Sequence, residues 1–321
     1  MIDDPVLIND WHVVAYAPNL PEGKPVAARL LDEDIVLWRV NGRTHAWRDL
    51  CVHRGTKLSL GKVENDTLIC PYHGWTYNEE GRCIRFPAHP EQKPPATARA
   101  TIYHVQEKYD WVWVCPGTPA YEIPNFPEWG KPEFRTVHCG PYTMGASGPR
   151  AIENFLDVTH FPFVHQGLLG DPEHAALDDY EVEITPEGVT ARDISVWQPD
   201  PDGLGNEGYE IYTYKVLRPL TAYFIKSSGD TRFAMIFTIT AVTERTSIVW
   251  MYVAMDYGDL TDEQISGFQE EIIKQDIPIV ESQRPELLPL DLQAELHLRS
   301  DRTAIAYRKW LHEQGVTFGT A

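Results

Sequence analysis

The sequence predicts an α+β chain of two domains: an all-β part over residues 1–118, and a part over 119–321 that joins a curved antiparallel sheet to covering helices. Three observations predict it. Short β-branched and aromatic runs bounded by turn residues fill the first hundred-odd positions. A passage dense in proline follows. Strand-like segments then return, flanked by stretches with helical spacing and helix caps.

In the first part, residues 11–16, 35–40 and 111–115 are the clearest strands, each closed by Pro, Gly, Asn or Asp. Pro116, Pro119, Pro124, Pro127, Pro132 and Pro141 then come in close succession. At that density neither a helix nor a central strand continues, which puts the domain junction there. Beyond it, residues 151–159 have helical spacing, and Pro162 is expected to end or kink that helix. Strand-like segments run from about 180 to 256, among them 209–216 and 248–255. A helix is expected to begin at Thr261, where Thr261 and Gln264 fit a capping box. A last helix, over about 300–313, opens on Ser300 and Asp301 in capping positions. No internal repeat or low-complexity tract is visible.

The 321 residues carry 28 Lys+Arg against 47 Asp+Glu, a formal charge of −19. A nucleic acid or an anionic membrane needs a basic face, so neither is expected as the main partner. Hydrophobic residues at 43% and charged residues at 23% are globular values and exclude a disordered chain. The acidic start, Met1-Ile2-Asp3-Asp4-Pro5, has no basic or apolar leader pattern, and no run reaches the roughly 18 apolar residues of a membrane span. Five cysteines are too few for a disulfide scaffold and leave thiols available for metal. A soluble, cytoplasmic protein is the expectation.

The most informative pattern is Cys51-Val52-His53 followed, after sixteen intervening residues, by Cys70-Pro71-Tyr72-His73. Two loops each offer one thiolate and one imidazole, with Gly55 and Gly74 where the backbone must turn. Buried cysteines beside two surface histidines are the bland alternative. Zinc is the stronger rival, yet zinc fingers favour short spacers within a Cys pair and within a His pair, whereas here each loop mixes the two. The mixture suits a [2Fe–2S] cluster with two thiolates on one iron and two imidazoles on the other. At these residues, including His53-Arg54-Gly55 and His73-Gly74-Trp75, the sequence resembles the Rieske family. The resemblance implies that Cys51 and Cys70 hold one iron and His53 and His73 the other. Cys83, Cys115 and Cys139 read as apolar fillers. His12, His45, His89, His104, His138, His174, His297 and His312 default to structural roles.

A second cluster runs from Glu153 to His165. Asn154, Asp157 and His160 step by three and are expected on one helix face. His165 lies five residues past His160, about 140° away on a continuous helix, but a break at Pro162 lets it swing back. In the helix from Thr261, Ile265, Phe268, Ile272, Asp276, Ile279 and Gln283 form one stripe, which sets Asp276 amid apolar neighbours. A buried carboxylate pairs or binds metal, so a core salt bridge is the alternative reading. Pro278 should distort this helix, and Asp291 and Glu281 stand as fallback ligands. Two histidines and a carboxylate make the facial triad of non-haem Fe(II) oxygenases.

This spacing resembles the catalytic-domain motif of Rieske non-haem iron oxygenase large subunits, and 275–283 resembles the stretch that supplies their third ligand. The tail, with Ser300-Asp301-Arg302 and Ala306-Tyr307-Arg308-Lys309-Trp310-Leu311, is similar to the monooxygenase branch: the saxitoxin hydroxylases, to which it is most similar, the caffeine N-demethylases and the vanillate O-demethylases. The resemblance implies a helix-grip catalytic domain, with His160, His165 and Asp276 on a mononuclear Fe(II). It also implies electrons from NAD(P)H through a separate reductase of flavin or ferredoxin type, and O₂ as co-substrate. A small aromatic or heterocyclic molecule would be hydroxylated or demethylated. By the same resemblance Asp157 links His160 to a Rieske histidine of a neighbouring subunit in a homotrimer, and Asn154 is a further candidate catalytic residue. Two rival functions are an electron carrier without oxygenase activity and a zinc-stabilised binding module.

Gly203-Leu204-Gly205-Asn206-Glu207-Gly208 fits a dinucleotide fingerprint, but it follows Pro199-Asp200-Pro201-Asp202 rather than a strand and reads as a loop. Tyr209, Tyr212, Tyr214, Tyr223, Phe224 and Phe237 either line a pocket or form a sheet's core face; period two does not separate these.

Overall fold

The computed structural model describes residues 2–201, 205, 207–229 and 231–321. Gly203, Leu204 and Asn206 of the glycine-rich segment lie outside the described residues. The chain divides into two compact units, Met1–Ile123 and Pro124–Ala321.

The first unit is built from three small antiparallel sheets. In one, Trp111–Cys115 lies between His12–Tyr16 and His104–Lys108. All five of its residues are buried, as a central strand apolar on both faces requires. In the next, Glu33–Val40 lies between Val26–Leu30 and Arg43–Arg48. The third joins Lys62–Glu64, Thr67–Ile69, Thr76–Tyr77 and Cys83–Arg85. A core that includes Trp38, Trp47, Leu58, Leu68, Tyr77 and Phe86 encloses Cys51 and Cys70.

The second unit holds a seven-stranded antiparallel sheet of β1 (Arg135–Met144), β2 (Glu181–Thr185), β3 (Gly188–Gln198), β4 (Gly208–Arg218), β5 (Thr221–Ser228), β6 (Thr231–Thr243) and β7 (Thr246–Met255), in the order β1-β7-β6-β5-β4-β3-β2. Bulges interrupt the register of β3 against β4 and of β4 against β5, and such insertions bend strands. Its helices are α1 (Gly148–Leu156), α2 (Phe161–Val164), α3 (Asp262–Ser282) and α4 (Arg302–Gln314). α1 packs on β5, β6 and β7, α3 along β1, and α4 on β2 and β3. No helix among the described residues is long and apolar enough to cross a membrane.

Pro141 lies inside a strand, β1, but at the sheet's edge and where the register shifts between Cys139 and Tyr142, so no central strand runs through it. Three local expectations are corrected. The helix expected over 151–159 stops at Leu156, so Asn154, Asp157 and His160 do not share a helix face. Asp157 Oδ1 accepts from the Thr159 backbone N–H at 2.7 Å and its hydroxyl at 2.6 Å, a local bond that competes with the helical one. Pro162 opens α2 rather than ending α1, in a first turn where its missing N–H is not needed. Last, Ser300 falls in a 3₁₀ turn instead of the helix; Asp301 does hold the N-cap position of α4, but its side chain does not cap it, Oδ2 accepting instead from Leu298 N at 2.7 Å.

α3 begins with the expected capping box: Thr261 Oγ1 accepts from Gln264 N at 3.2 Å, and Gln264 Oε1 accepts from Thr261 N at 2.8 Å. Its buried stripe is Ile265, Gln269, Ile273, Asp276 and Val280, with Phe268 and Ile279 exposed. The packed row is thus offset from the expected one, with Ile265 and Asp276 common to both. Pro278 sits on the exposed side and the helix runs on to Ser282.

Candidate metal centres and cavity

The two motif loops of the first unit close by the same hydrogen bonds. Gly55 N donates to Cys51 O at 2.9 Å and Gly74 N to Cys70 O at 3.1 Å, while Cys51 N and Cys70 N donate to Thr56 O and Trp75 O. Gly55 (φ +73°) and Gly74 (φ +68°) hold the left-handed conformation that makes each loop fold over its cysteine. Both cysteines are 2% exposed. Burial first, and the neighbouring Cys51 sulfur after it, push the Cys70 thiol up. The rings of His53 and His73 lie 4.6 Å apart, and His53 stacks on Trp75 at 4.4 Å.

Like therefore pairs with like across the loops, sulfur with sulfur and imidazole with imidazole. His53 Nδ1 is buried with no hydrogen-bond partner, a polar atom left for a ligand. The donor set fits a two-iron cluster with two thiolates at one metal and two imidazoles at the other. A single zinc would need the four donors at one point. Among the described residues, only His160, His165 and Asp276 bring three such atoms within 4.8 Å of one another. Tyr77 Oη lies 3.2 Å from Cys51 Sγ, in position to hydrogen-bond the sulfur.

That second group is built on one helical turn and one long helix. His160 precedes α2 and His165 follows it, so the turn itself brings their Nε2 atoms to 3.2 Å. Asp276, on α3, places Oδ1 3.4 Å from His160 Nε2 and 3.2 Å from His165 Nε2. The opposite ring nitrogens are anchored: His160 Nδ1 lies 3.3 Å from Asp157 Oδ2, and His165 Nδ1 2.7 Å from Gln275 Oε1. Anchoring at Nδ1 fixes the tautomer and aims Nε2 at the shared point. Asn154 Nδ2 lies 3.4 Å from Asp276 Oδ1.

The fallback carboxylates lie elsewhere. Glu281 accepts from Gly145 N at 2.7 Å, and Asp291 from Gln293 N at 2.9 Å. Gln275 went unmarked in the sequence, because adjacency to Asp276 says nothing about a histidine 110 positions away.

Electrostatics fit a cation here. Burial alone would raise the Asp276 and Asp157 carboxyls, yet hydrogen bonds from the histidines outweigh it and hold both below the usual carboxylate range. Burial alone would lower His160, but Asp157 and Asp276 push it up to about 9. Two carboxylates thus demand positive charge at this point, and with two imidazoles and open space they match a divalent iron of facial-triad type.

The three side chains face a cavity of about 410 Å³. Asn154, Phe155, Tyr212, Tyr214, Phe224 and Phe237 contribute to its wall. Tyr209 is 60% exposed, and Tyr223 turns away to donate to Glu128 Oε1 at 3.0 Å. Of the aromatic set, four members line the cavity and two do not. Two polar residues without a sequence signal line it as well. Lys226 Nζ donates to Gln198 Oε1 at 2.8 Å and to Pro201 O at 2.9 Å, and Gln198 Nε2 donates to Tyr212 Oη at 3.0 Å.

Comparison with known proteins gives the following. Residues 10–107 match the Rieske [2Fe–2S] domain, and residues 144–315 match the vanillate O-demethylase oxygenase C-terminal domain. The chain is 31% identical over 315 residues to methylxanthine N1-demethylase NdmA of Pseudomonas putida, covering 94% of this chain and 88% of the relative. It is 29% identical over 330 residues to methylxanthine N3-demethylase NdmB of the same organism, covering 97% and 90%. The solved structure of NdmA with caffeine superposes with a TM-score of 0.84 at 30% identity, over 96% of this chain and 91% of that one.

Proposed function

Because the chain belongs to the Rieske non-haem iron oxygenases, we propose that it oxidatively demethylates a small N-methyl or O-methyl aromatic or heteroaromatic molecule. It is an oxidoreductase that uses O₂ and electrons originating in NAD(P)H. An electron carrier alone would leave the second unit and its cavity without a role.

Cys51 and Cys70 would hold one iron of the cluster and His53 and His73 the other; His160, His165 and Asp276 would hold the mononuclear iron. When bound, that iron supplies the O₂ chemistry by which one oxygen atom enters a C–H bond of the substrate. The chain supplies the geometry. Asp157 and Gln275 lock the two imidazoles, and Asn154 steadies the Asp276 carboxylate. The aromatic wall excludes water and presents an apolar face to a flat ring. If the oxidised carbon is an N- or O-methyl, one O₂, two electrons and two protons give the demethylated product, formaldehyde and water.

Nothing in the chain reads as a nicotinamide or flavin site, so a separate reductase of flavin or ferredoxin type is the proposed partner, and the −19 charge suits a basic docking face on it. We assign the enzyme to the cytoplasm and to a homotrimer, in which Asp157 also faces His73 of the partner subunit.

One observation carries the reading: His160, His165 and Asp276 converge at a largely apolar cavity. Asp276→Ala should lose mononuclear iron and keep the visible Rieske spectrum. Full iron retention would remove Asp276 from the site. Coupled NADH consumption and formaldehyde release, screened over N-methyl heterocycles and methoxy-aromatics, tests the substrate class.

A further inference from the structure

Tyr214 sits in the middle of β4 and is 1% exposed. Its ring packs against Phe155, Phe224 and Tyr212, with centroids 5.6, 5.1 and 5.7 Å away. It lines the same cavity as His160, His165 and Asp276. Tyr180, Tyr223 and Tyr307, buried in the same unit, each donate to an acceptor: Ser300 O at 2.6 Å, Glu128 Oε1 at 3.0 Å and Pro219 O at 2.7 Å. Tyr212 Oη is met by Gln198. The Tyr214 hydroxyl has no such partner among the described residues, nor is it among the fully enclosed polar atoms that lack one. It opens on the cavity.

Packing alone does not explain it. The wall uses phenylalanine at 155, 224, 233 and 237, and a phenylalanine at 214 would keep every ring contact. A hydroxyl in apolar surroundings destabilises the fold unless something bonds it, so a tyrosine here favours an occupied cavity over an empty one. Burial first, then Tyr212 and the Asp157 and Asp276 carboxylates, hold its phenol proton on, so it faces the cavity as a donor. Its ring partner Phe155 directly follows Asn154, whose amide lies 3.4 Å from Asp276 Oδ1, which sets Tyr214 toward the end of the cavity where the three candidate ligands meet.

We propose that Tyr214 Oη contacts the substrate, donating a hydrogen bond to an acceptor that adjoins the carbon presented to His160, His165 and Asp276. This rests on the demethylase reading above and deepens it. The substrates are aromatic molecules whose oxidised carbon is attached to, or next to, an ether oxygen, ring nitrogen or carbonyl, and pure hydrocarbons of the same shape are poor ones.

Anisole and ethylbenzene test it, because they differ by an ether oxygen against a methylene. Both are titrated calorimetrically into the iron-loaded wild type and into Tyr214→Phe, without reductant. The wild type should bind anisole about fivefold tighter than ethylbenzene, the worth of roughly one net hydrogen bond. In Tyr214→Phe that preference should vanish, with iron content, visible spectrum and far-UV dichroism unchanged. A preference that survives in Tyr214→Phe overturns the proposal, as does a wild type that shows none. Failure of the demethylase reading looks different: the wild type would release no formaldehyde from methylated compounds, while the binding ratio, which needs no turnover, would still be measured.

Discussion

Arg308 should be worth more to the second unit than any exposed charge. It is 2% exposed on α4. Its Nε and Nη2 donate to the two carboxylate oxygens of Glu153 at 2.6 Å each, Nη2 also reaches Glu295, and Nη1 donates to Pro289 O at 3.2 Å. Arg150, buried on α1, joins the far side of Glu295 at 2.7 Å. Glu153 directly precedes Asn154, so this network seats the helix that carries Asn154 and Phe155 into the cavity. Arg308→Met keeps the aliphatic stem and deletes the charge. Glu153, its side chain 12% exposed, would be left with Arg150 at 3.7 Å. Removing one partner of a buried pair costs about 3–5 kcal/mol. Because Glu295 keeps Arg150 and is partly hydrated, the low end applies, about 3 kcal/mol. For a unit of this size each kcal/mol moves the melting midpoint by about 2–4 °C, so a fall of roughly 6–12 °C is expected. Thermal melts followed by far-UV dichroism report the large sheet, and the visible Rieske band reports the other unit separately. Adding Glu153→Gln to Arg308→Met should recover much of the loss by removing the orphaned charge. A fall under about 2 °C, or a double variant no better than the single, would refute the reasoning.

The network also has a pH signature. Burial alone would raise the Glu295 carboxyl, but hydrogen bonds from Arg150 and Arg308 outweigh it and hold it below the ordinary value. A depressed folded pKa gives stability that is complete above the unfolded value, near 4.5, and is lost as pH falls through the lower folded one. Glu295→Gln should therefore destabilise at pH 6 and much less at pH 3 in urea melts; equal losses at both would contradict this. Asp157→Ala, assayed at saturating iron, should keep both metals and lose turnover, and normal activity would refute the proposed bridging role. Gln275→Leu removes the acceptor at His165 Nδ1 and should weaken iron retention against a chelator by about 10–100-fold. Unchanged retention would mean that Gln275 does not orient the ring.

What could be read in advance follows the range of each interaction. The cluster motif was legible because each loop carries both its candidate ligands within four residues and its own turn glycine. The α3 capping box was legible for the same reason, spanning Thr261 to Gln264. The end of α1 was not. Helical spacing continues through Asp157 and His160, and the Asp157 side chain, not the periodicity, decides where the helix stops. The α3 stripe came out offset because apolar periodicity does not tell the fully buried row from its half-exposed neighbours: Ile265, Gln269, Ile273 and Asp276 of the buried row and Phe268 and Ile272 beside it all line the cavity. Gln198, Lys226 and Gln275 left no trace at all. Their partners are 14 to 110 positions away, and a single polar residue in a strand or helix carries no spacing signal.

The second unit separates two tasks between two kinds of element. Helical segments deliver the candidate metal-facing groups: His160 and His165 bracket one turn, and Asp276 comes from α3, each imidazole held at Nδ1 by its own acceptor. Most of the aromatic wall comes from the sheet, where period two sends Tyr212 and Tyr214 of β4 and Phe224 of β5 to the same face. Register fixes the wall and hydrogen bonds at Nδ1 fix the ligands, so a wall residue can change without moving an imidazole. Substitutions that recut the cavity should therefore alter which molecule enters while leaving the O₂ chemistry intact. A scaffold of this kind suits a family in which one reaction is applied to many rings, and on the proposal for Tyr214 it makes the wall hydroxyls, rather than the candidate ligand set, the place where this chain's choice of substrate is written.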